Sequence, residues 1–544
     1  MKTIITFFAS LTCVFTFGTH SAQAQSATPS TLNPLFATDI TIEVNNQADQ
    51  RHVRVASAFN GWLFAAYIVN DSTSGKGGVV VRYSKNGGIN WLPFNGYAYY
   101  QHSFYSSCDI AVAGNDTTHL GVYVGVVRKD LVSKKYEVTV EKYNPYKISF
   151  PPVLVFSQKL DTNKVTDMAL ASNAKLTALP KDSIFSVGLL YAHHGTSMDS
   201  LIFASIAKKS GPKFGKHTLV ASGKYYRKVA LSFAHSQTVA GSYCAAWEQD
   251  STVKSTLGHI FTSRTKWNAD SLWTAPTLLD TLFPNMSNHV RNPSISSQYS
   301  LTDNDSGNVT VAVAFECARN GITDSMDILG AYNKRGDSTN FWNSFRVAGT
   351  TNNELQPNIY YDGNGNNFMV TYYDSTAGGL SYVKQGSSLT TPNAWTLVNA
   401  AYNNNPTMLK APWPRVVLNQ LTNKAFFAWT VDPINNNGIV MCDGEYLFTS
   451  TGPELDLNGI KVYNLYPNPS STSALLPVSS DRAVDVSLSV FNILGENSMP
   501  VRIQHLPGGM QYLELDVTSL ASGIYLCRIQ SGTMTHTVRF VVQR

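Results

Sequence analysis

The sequence predicts an all-β protein: a β-propeller of seven blades, followed by a small immunoglobulin-like β-sandwich. Three observations carry this. Pairs of short apolar strands recur seven times between residues 50 and 450, with first strands about 55 to 65 residues apart, a period suited to one four-stranded blade. Charged residues make up only 14% of the chain and aromatic residues 11%. The charged share lies below the usual quarter, and the Ser, Thr, Asn and Gly that fill the difference favour strands and turns. Finally, the last eighty-odd residues alternate apolar and polar side chains, as in Val484-Asp485-Val486-Ser487-Leu488-Ser489-Val490, the pattern of a half-buried strand.

Taken in order, the chain opens with a positive start, Met1-Lys2, and an apolar run from Ile4 to Phe17. The run is too short to span a bilayer. With the small residues Ala22 and Ala24 around Gln23 it reads as a signal peptide, residues 1–24, cut before Gln25. No other stretch is long and apolar enough to be a transmembrane segment. Asp39 to Val44 then alternates as a strand.

The propeller is expected over 36–450. Its first strands are Val53–Ala56, Cys108–Val112, Asp167–Leu170, Val229–Ser232, Pro293–Ser296, Pro357–Tyr360 and Pro414–Val417. Second strands follow, such as Leu63–Tyr67, Tyr243–Trp247, Val311–Phe315 and Ala425–Trp429. The seventh unit ends near Phe448 one strand short, and the Asp39–Val44 strand is expected to complete it, leaving no exposed sheet edge. A linker is expected over 451–459 and the sandwich over 460–544, with turns at Leu494–Asn497 and Leu506–Gly509.

The tail carries three ordered motifs. Tyr466-Pro467-Asn468-Pro469 opens it, Phe491-Asn492-Ile493-Leu494-Gly495 follows, and Ser522-Gly523-Ile524-Tyr525 precedes an apolar last strand. This series resembles the C-terminal sorting domain (type A) of type IX secretion cargo. The resemblance implies passage across the outer membrane of a Gram-negative bacterium, a partnership with the secretion machinery, and surface attachment or release.

A second resemblance is more local. Ser84-Lys85-Asn86-Gly87-Gly88-Ile89-Asn90-Trp91 resembles the Asp-box of sialidase-type (BNR) propellers, with Asn86 in place of the usual Asp. It implies a structural hairpin in which Ser84 and Asn86 cap backbone N–H groups, Gly88 permits the turn and Trp91 packs between strands. It implies nothing about catalysis, because this loop lies away from the active site in that family.

Sialidase chemistry needs arginines that clamp a carboxylate, a Tyr nucleophile with a Glu base, and an acid. Arg54, Arg227, Arg291 and Arg415 lie at or just before first strands, which line the central channel of a propeller, so several of them are expected to converge there. Glu248, Glu316 and Tyr373 end second strands. Against an enzyme, the family's Phe-Arg-Ile-Pro motif is absent around Arg54 and Arg415. A polar residue closing a second strand also suits hydrogen bonding to the next blade. The expected function is therefore a non-catalytic module binding glycan or host or matrix protein. The alternatives are a sialidase-like glycoside hydrolase for acidic glycans and a structural cell-surface component. Aromatic residues near first strands, namely Tyr99, Tyr100, Tyr225, Tyr226 and Trp413, are the candidate binding surface.

Other chemistries find little support. A net charge of +5 without a Lys/Arg cluster excludes nucleic acid and acidic lipid. Asp303 and Asp305 have the alternation of a calcium loop but read better as a hairpin turn, so no cofactor is expected. Of six cysteines, Cys13 lies in the signal. The others are too widely spaced for a disulfide framework, and Cys244 and Cys317, at equivalent places in neighbouring units, are expected to be buried thiols rather than a bridge.

Overall fold

A computed structural model describes residues 39–543, apart from internal segments (43–48, 72–74, 95–99, 115–119, 148–151, 161–163, 173–186, 207–213, 216, 235–240, 251–257, 267–268, 284–289, 299–308, 320–324, 334–341, 363–366, 386–394, 400–401, 404–408, 420–423, 433–437, 446–454, 457–458, 463–464, 466–469, 471–472, 481, 508 and 533). The signal residues Ala22 and Ala24, the aromatic Tyr99, the calcium candidates Asp303 and Asp305, and Tyr466, Pro467, Asn468 and Pro469 lie outside the described residues.

Seven antiparallel blades follow one another. Blade 1 is Asp49–Ser57, Leu63–Asp71, Lys76–Ser84 and Leu92–Pro93, with Tyr100–Gln101 also against its third strand. Blade 2 is Ser103–Ala113, Gly121–Asp130, Tyr136–Tyr143 and Val153–Leu160, and blade 3 is Val165–Ser172, Val187–His194, Asp199–Ile206 and Thr218–Gly223. Blade 4 comprises Tyr226–Ala234, Ser242–Asp250 and Gly258–Lys266, its outer edge made by two short pieces, Ala269–Trp273 and Thr277–Leu278. Blade 5 is Val290–Ser297, Val311–Ala318, Met326–Asn333 and Trp342–Ala348, tied to blade 4 by a single pairing of Gly258 with Val290 that makes the two one continuous nine-stranded sheet; blade 6 is Glu354–Asp362, Asn367–Asp374, Gly379–Gln385 and Trp395–Asn399.

Among the described residues, blade 7 has three strands of its own, Arg415–Asn419, Lys424–Val431 and Ile439–Gly444; a fourth is Ile40–Thr41 from the other end of the chain. Ile40 pairs with Cys442 and Thr41 with Met441, and the Ile42 N–H donates to the Val440 carbonyl at 3.0 Å.

The second strands explain why blades stack. In Val311–Ala318, VAVAFECA, every residue is buried, because a blade in mid-ring has both faces covered by neighbours and keeps no polar face. Each pair of adjacent blades shares at least one apolar cluster. Val138, Phe156, Met168 and Leu189 join blades 2 and 3; Cys244, Ile260, Val313 and Cys317 join blades 4 and 5. The last cluster joins blade 7 to blade 1 through Ile42, Val53, Tyr67, Phe426 and Cys442, which closes the ring.

Cys244 and Cys317 thus share one inter-blade core without bonding to each other. All five cysteines from Cys108 to Cys527 are buried free thiols, acting as small apolar side chains.

The loop Ser84–Trp91 connects the third and fourth strands of blade 1. The Ser84 hydroxyl accepts from the Gly88 N–H and the Asn86 side-chain oxygen accepts from the Asn90 N–H, each at 2.9 Å. Gly87 and Gly88 take φ of 72° and 104°, a region that favours glycine. Trp91 packs on Phe426 of blade 7, ring centroids 5.9 Å apart, so this hairpin also stitches the ring's closure.

Two further sheets form the sandwich. One is ordered Leu455–Asp456, Ile460–Val462, Ser473–Ser480, Gly509–Asp516, the other Arg502–Leu506, Val484–Asn492, Gly523–Ser531, Met534–Val542. Val486, Leu488 and Val490 point inward with Cys527, Ile529 and Phe540. Gly495 makes the turn after Asn492 with φ of 81°, and the Asn492 side chain accepts the N–H groups of Leu494 and Glu496. Gly523 opens the next strand. Two residues on, Tyr525 packs on Phe540 at 5.7 Å and its hydroxyl donates to the Ala521 carbonyl.

One buried carboxyl makes stability depend on pH. Glu354, at the entrance of blade 6, is 1% exposed. Its Oε1 accepts the Thr350 N–H and hydroxyl, while Oε2 has no partner among the described residues. Burial pushes this carboxyl from 4.5 up to about 7; the Thr350 hydrogen bonds oppose the rise and the charges of Asp327 and Asp374 add to it. Between about pH 4.5 and 7 the unfolded chain has released this proton while the folded chain keeps it. Stability therefore falls as pH rises through that window, by about 3 kcal/mol in all. Urea unfolding at pH 5 and pH 8 should show the fall, and Glu354→Gln should flatten it.

Candidate functional site: the mouth of the central channel

The seven first strands surround a cavity of about 250 Å³. Its geometry depends on a defect repeated from blade to blade. Strand pairing slips between Arg51 and Arg54 in blade 1, between Arg291 and Ser294 in blade 5 and between Leu355 and Asn358 in blade 6. Each slip is a β-bulge, and His52, Asn292 and Gln356 within them adopt φ of 56°, 54° and 57°. Tyr225 and Trp413 do the same just before the first strands of blades 4 and 7. Non-glycine residues hold that conformation only when their surroundings enforce it.

The surroundings are side chains of the preceding blade. The Asn292 N–H donates to Glu248 at 2.9 Å, the Gln356 N–H to Glu316 at 2.8 Å and the Trp413 N–H to the Gln356 side-chain oxygen at 2.7 Å. Glu316 also accepts from the Arg291 Nε at 2.5 Å and the Asn292 side-chain amide at 2.7 Å. These acids grip the next blade's bulge.

The four candidate arginines divide into two pairs. Arg54 and Arg415 line the channel; Arg227 and Arg291 do not. Arg291 lies before its bulge, directly across from Glu316 in the strand ladder, and pairs with it. Arg227 lies within its bulge and pairs with the buried Asp250. Two of the four thus meet in the channel and two do not, because a bulge shifts by one residue which side chains face inward. Tyr373 also lies outside the channel, buried, with its hydroxyl donating to the Leu409 carbonyl at 2.9 Å.

The aromatic candidates separate as well. Trp413 lines the mouth, and Lys228 from blade 4 reaches across to place its ammonium 4.8 Å from the ring centre. Tyr226 is buried edge-on against Trp247, so it belongs to the core rather than to a binding surface. Tyr225 is half-buried beside it, with its carbonyl accepting the Asp250 N–H. Tyr100 is exposed outside the channel with the Arg128 guanidinium over its ring.

Charged groups not singled out from the sequence complete the mouth: Lys228, Asp109 and Asp167. The signal was present, since both acids interrupt otherwise apolar first strands. Asp109 accepts the N–H groups of Ile110 and Leu170, and Asp167 accepts the Ser107 hydroxyl and the Val229 N–H. Burial raises the Asp109 carboxyl above its ordinary value, although Arg54 and these N–H groups oppose it. Burial also opposes ionisation of Asp167, but Lys228, Ser107 and Arg54 outweigh it and hold that carboxyl low. His52 is pushed down to about 3 by burial and by the Lys228 and Arg54 charges, and so is neutral. Among the described residues no group of acids, histidines and cysteines is arranged to hold a metal ion.

With a seven-bladed ring, its channel and a C-terminal sandwich in place, the class is a β-propeller protein with an appended β-sandwich. Residues 464–543 match the family described as "Secretion system C-terminal sorting domain". A type IX C-terminal sorting domain implies secretion or attachment at the outer-membrane surface, and interaction of this tail with the secretion machinery. No helix among the described residues is long and apolar enough to cross a membrane.

No curated protein matches the chain in sequence. Solved structures similar to it include an alpha-L-arabinanase of Penicillium chrysogenum complexed with arabinobiose, at 9% identity and a TM-score of 0.41, covering 76% of this chain and 98% of that one. The alpha-L-arabinofuranosidase of Fusarium graminearum with arabinobiose matches at 10% identity and 0.41, covering 75% and 97%. Prolyl oligopeptidase B of Galerina marginata matches at 11% and 0.38, covering 80% and 57%.

Proposed function

We propose that the propeller is a non-catalytic module that binds glycans at the channel mouth, on the cell surface or after release. One observation carries this reading. The acids that would have to serve as base and proton donor are engaged in holding the fold: Glu316 by Arg291, Asn292 and Gln356, Glu248 by Asn292. Tyr373 is committed to Leu409 away from the channel. What the mouth offers instead is an aromatic face at Trp413 and an excess of cations, Arg54, Lys228 and Arg415 against Asp109 and Asp167, groups that bind rather than cleave. The hairpin of Ser84, Asn86, Gly88 and Trp91 supports an Asp-box reading of blade 1, which bears on fold ancestry and not on chemistry.

The test is a glycan array, neutral and acidic, read for both retention and product release. Retention without release is expected. Trp413→Ala should reduce retention by about tenfold, the scale of one aromatic contact, with an unchanged circular dichroism spectrum. Release of a monosaccharide would replace this reading with the hydrolase. Neither retention nor release would shift the function to a protein ligand or a structural role.

A further inference from the structure

We propose that the upper channel is an anion subsite, in which Arg415 and Arg54 together hold the carboxylate or sulfate of an acidic sugar residue. The proposal deepens the glycan-binding reading and rests on it.

The two arginines come from adjoining blades and occupy the same level. Arg415 pairs with Ala428 and Arg54 with Ala66, at equivalent places along the two second strands. Arg54 is partly matched: its Nε lies 3.6 Å from Asp109, and one terminal nitrogen donates to the Val53 carbonyl. Arg415 feels the charges of Asp109 and Asp167, but its Nε is sealed from solvent and finds no hydrogen-bond acceptor among the described residues.

The acids nearby are spent on other donors. Asp109 takes two backbone N–H groups besides its contact with Arg54, and Asp167 takes Ser107 and Val229. The mouth therefore holds three cations, Arg54, Lys228 and Arg415, against two acids. Burial and the neighbouring Arg54 charge press the Arg415 guanidinium well below its ordinary value, to about 9, while the charges of Asp109 and Asp167 oppose the fall without cancelling it.

A guanidinium kept in this way costs stability unless something compensates it. An oxyanion would: the planar fork of arginine matches the two oxygens of a carboxylate or sulfate, and a partly dry channel strengthens that contact. The cavity, about 250 Å³, is smaller than the ~300–1,000 Å³ that engulfs a whole ligand. It suits one acidic group at a chain end, with the attached ring held near Trp413.

The test is calorimetric titration and thermal unfolding of the purified chain with glucuronate, glucose and inorganic sulfate. Glucuronate should bind and raise the melting temperature, and glucose should bind at least tenfold more weakly. Arg415→Gln and Arg54→Gln should each weaken glucuronate at least tenfold. Ligand-free Arg415→Gln should also melt at or above the temperature of the parent, since an unpaired buried charge has gone, and that result separates lost binding from misfolding. Sulfate binding as tightly as glucuronate, and lost in Arg415→Gln, would uphold the anion subsite while removing the need for a sugar. Equal binding of glucose and glucuronate, or undiminished glucuronate binding by Arg415→Gln, would overturn the proposal. Retention of neutral glycans on the array in that case would leave the binding reading standing.

Discussion

Replacing Glu316 with alanine is expected to destabilise the fold by about 3–5 kcal/mol, the range for breaking a buried ion pair from one side. The carboxylate is fully buried and serves three donors on two blades. Without it, the Arg291 guanidinium loses its counter-charge, and the Gln356 N–H, set in a positive-φ bulge, loses its acceptor. The measurement is the urea midpoint of unfolding. A double variant, Glu316→Ala with Arg291→Met, should recover a substantial part of the loss, because it removes the stranded charge. Equal losses in the single and double variants would place the energy in the backbone contact to blade 6 instead of in the ion pair. Had Glu316 been a free catalytic acid, the single change would leave stability almost untouched.

The second large effect is at the other end of the chain. Ile42→Asp should cost at least about 4 kcal/mol, adding the loss of a buried isoleucine to the burial of an unpaired carboxylate. Ile42 is 5% exposed and packs with Val53, Phe426 and Val440 where blades 7 and 1 meet. The predicted signature is a lower unfolding midpoint together with faster proteolysis within blade 7. Ile42→Val, which keeps the apolar contact, should cost about 1 kcal/mol. If both variants behave alike, the edge strand contributes nothing to closure.

Much of the architecture could be read from the sequence because its strongest signals are local. Second strands such as Val311–Phe315 are unbroken apolar runs, and a strand buried on both faces has no other way to look. The alternation of Asp39–Val44 identified a strand, and the shortage in the seventh unit said where it belonged. The site was less legible, for a geometric reason. Arg54 and Arg291 both lie near the start of a first strand, yet one faces the channel and the other faces Glu316. The difference is their position relative to a bulge, and a bulge reverses the inward-outward alternation beyond it. The residues forming the bulges, His52, Asn292 and Gln356, share no type that marks the conformation. Tyr226 and Tyr373 show the same limit. An aromatic next to a strand end looks identical in sequence whether it lines a mouth, as Trp413 does, or packs against Trp247 or bonds to Leu409.

The pairing of Ile40–Thr41 with Ile439–Gly444 also sets an order of events for a chain that must leave the cell. These partners are about 400 residues apart, as in the contact of Thr41 with Met441, so the ring has very high contact order at its seam and pays the largest loop-closure entropy there. Blades can assemble one upon another as they emerge, but the seam cannot form on a partial chain. An emerging chain thus keeps an unsealed edge until its last blade is available. Commitment to the finished ring therefore waits until both ends of the propeller are available to meet.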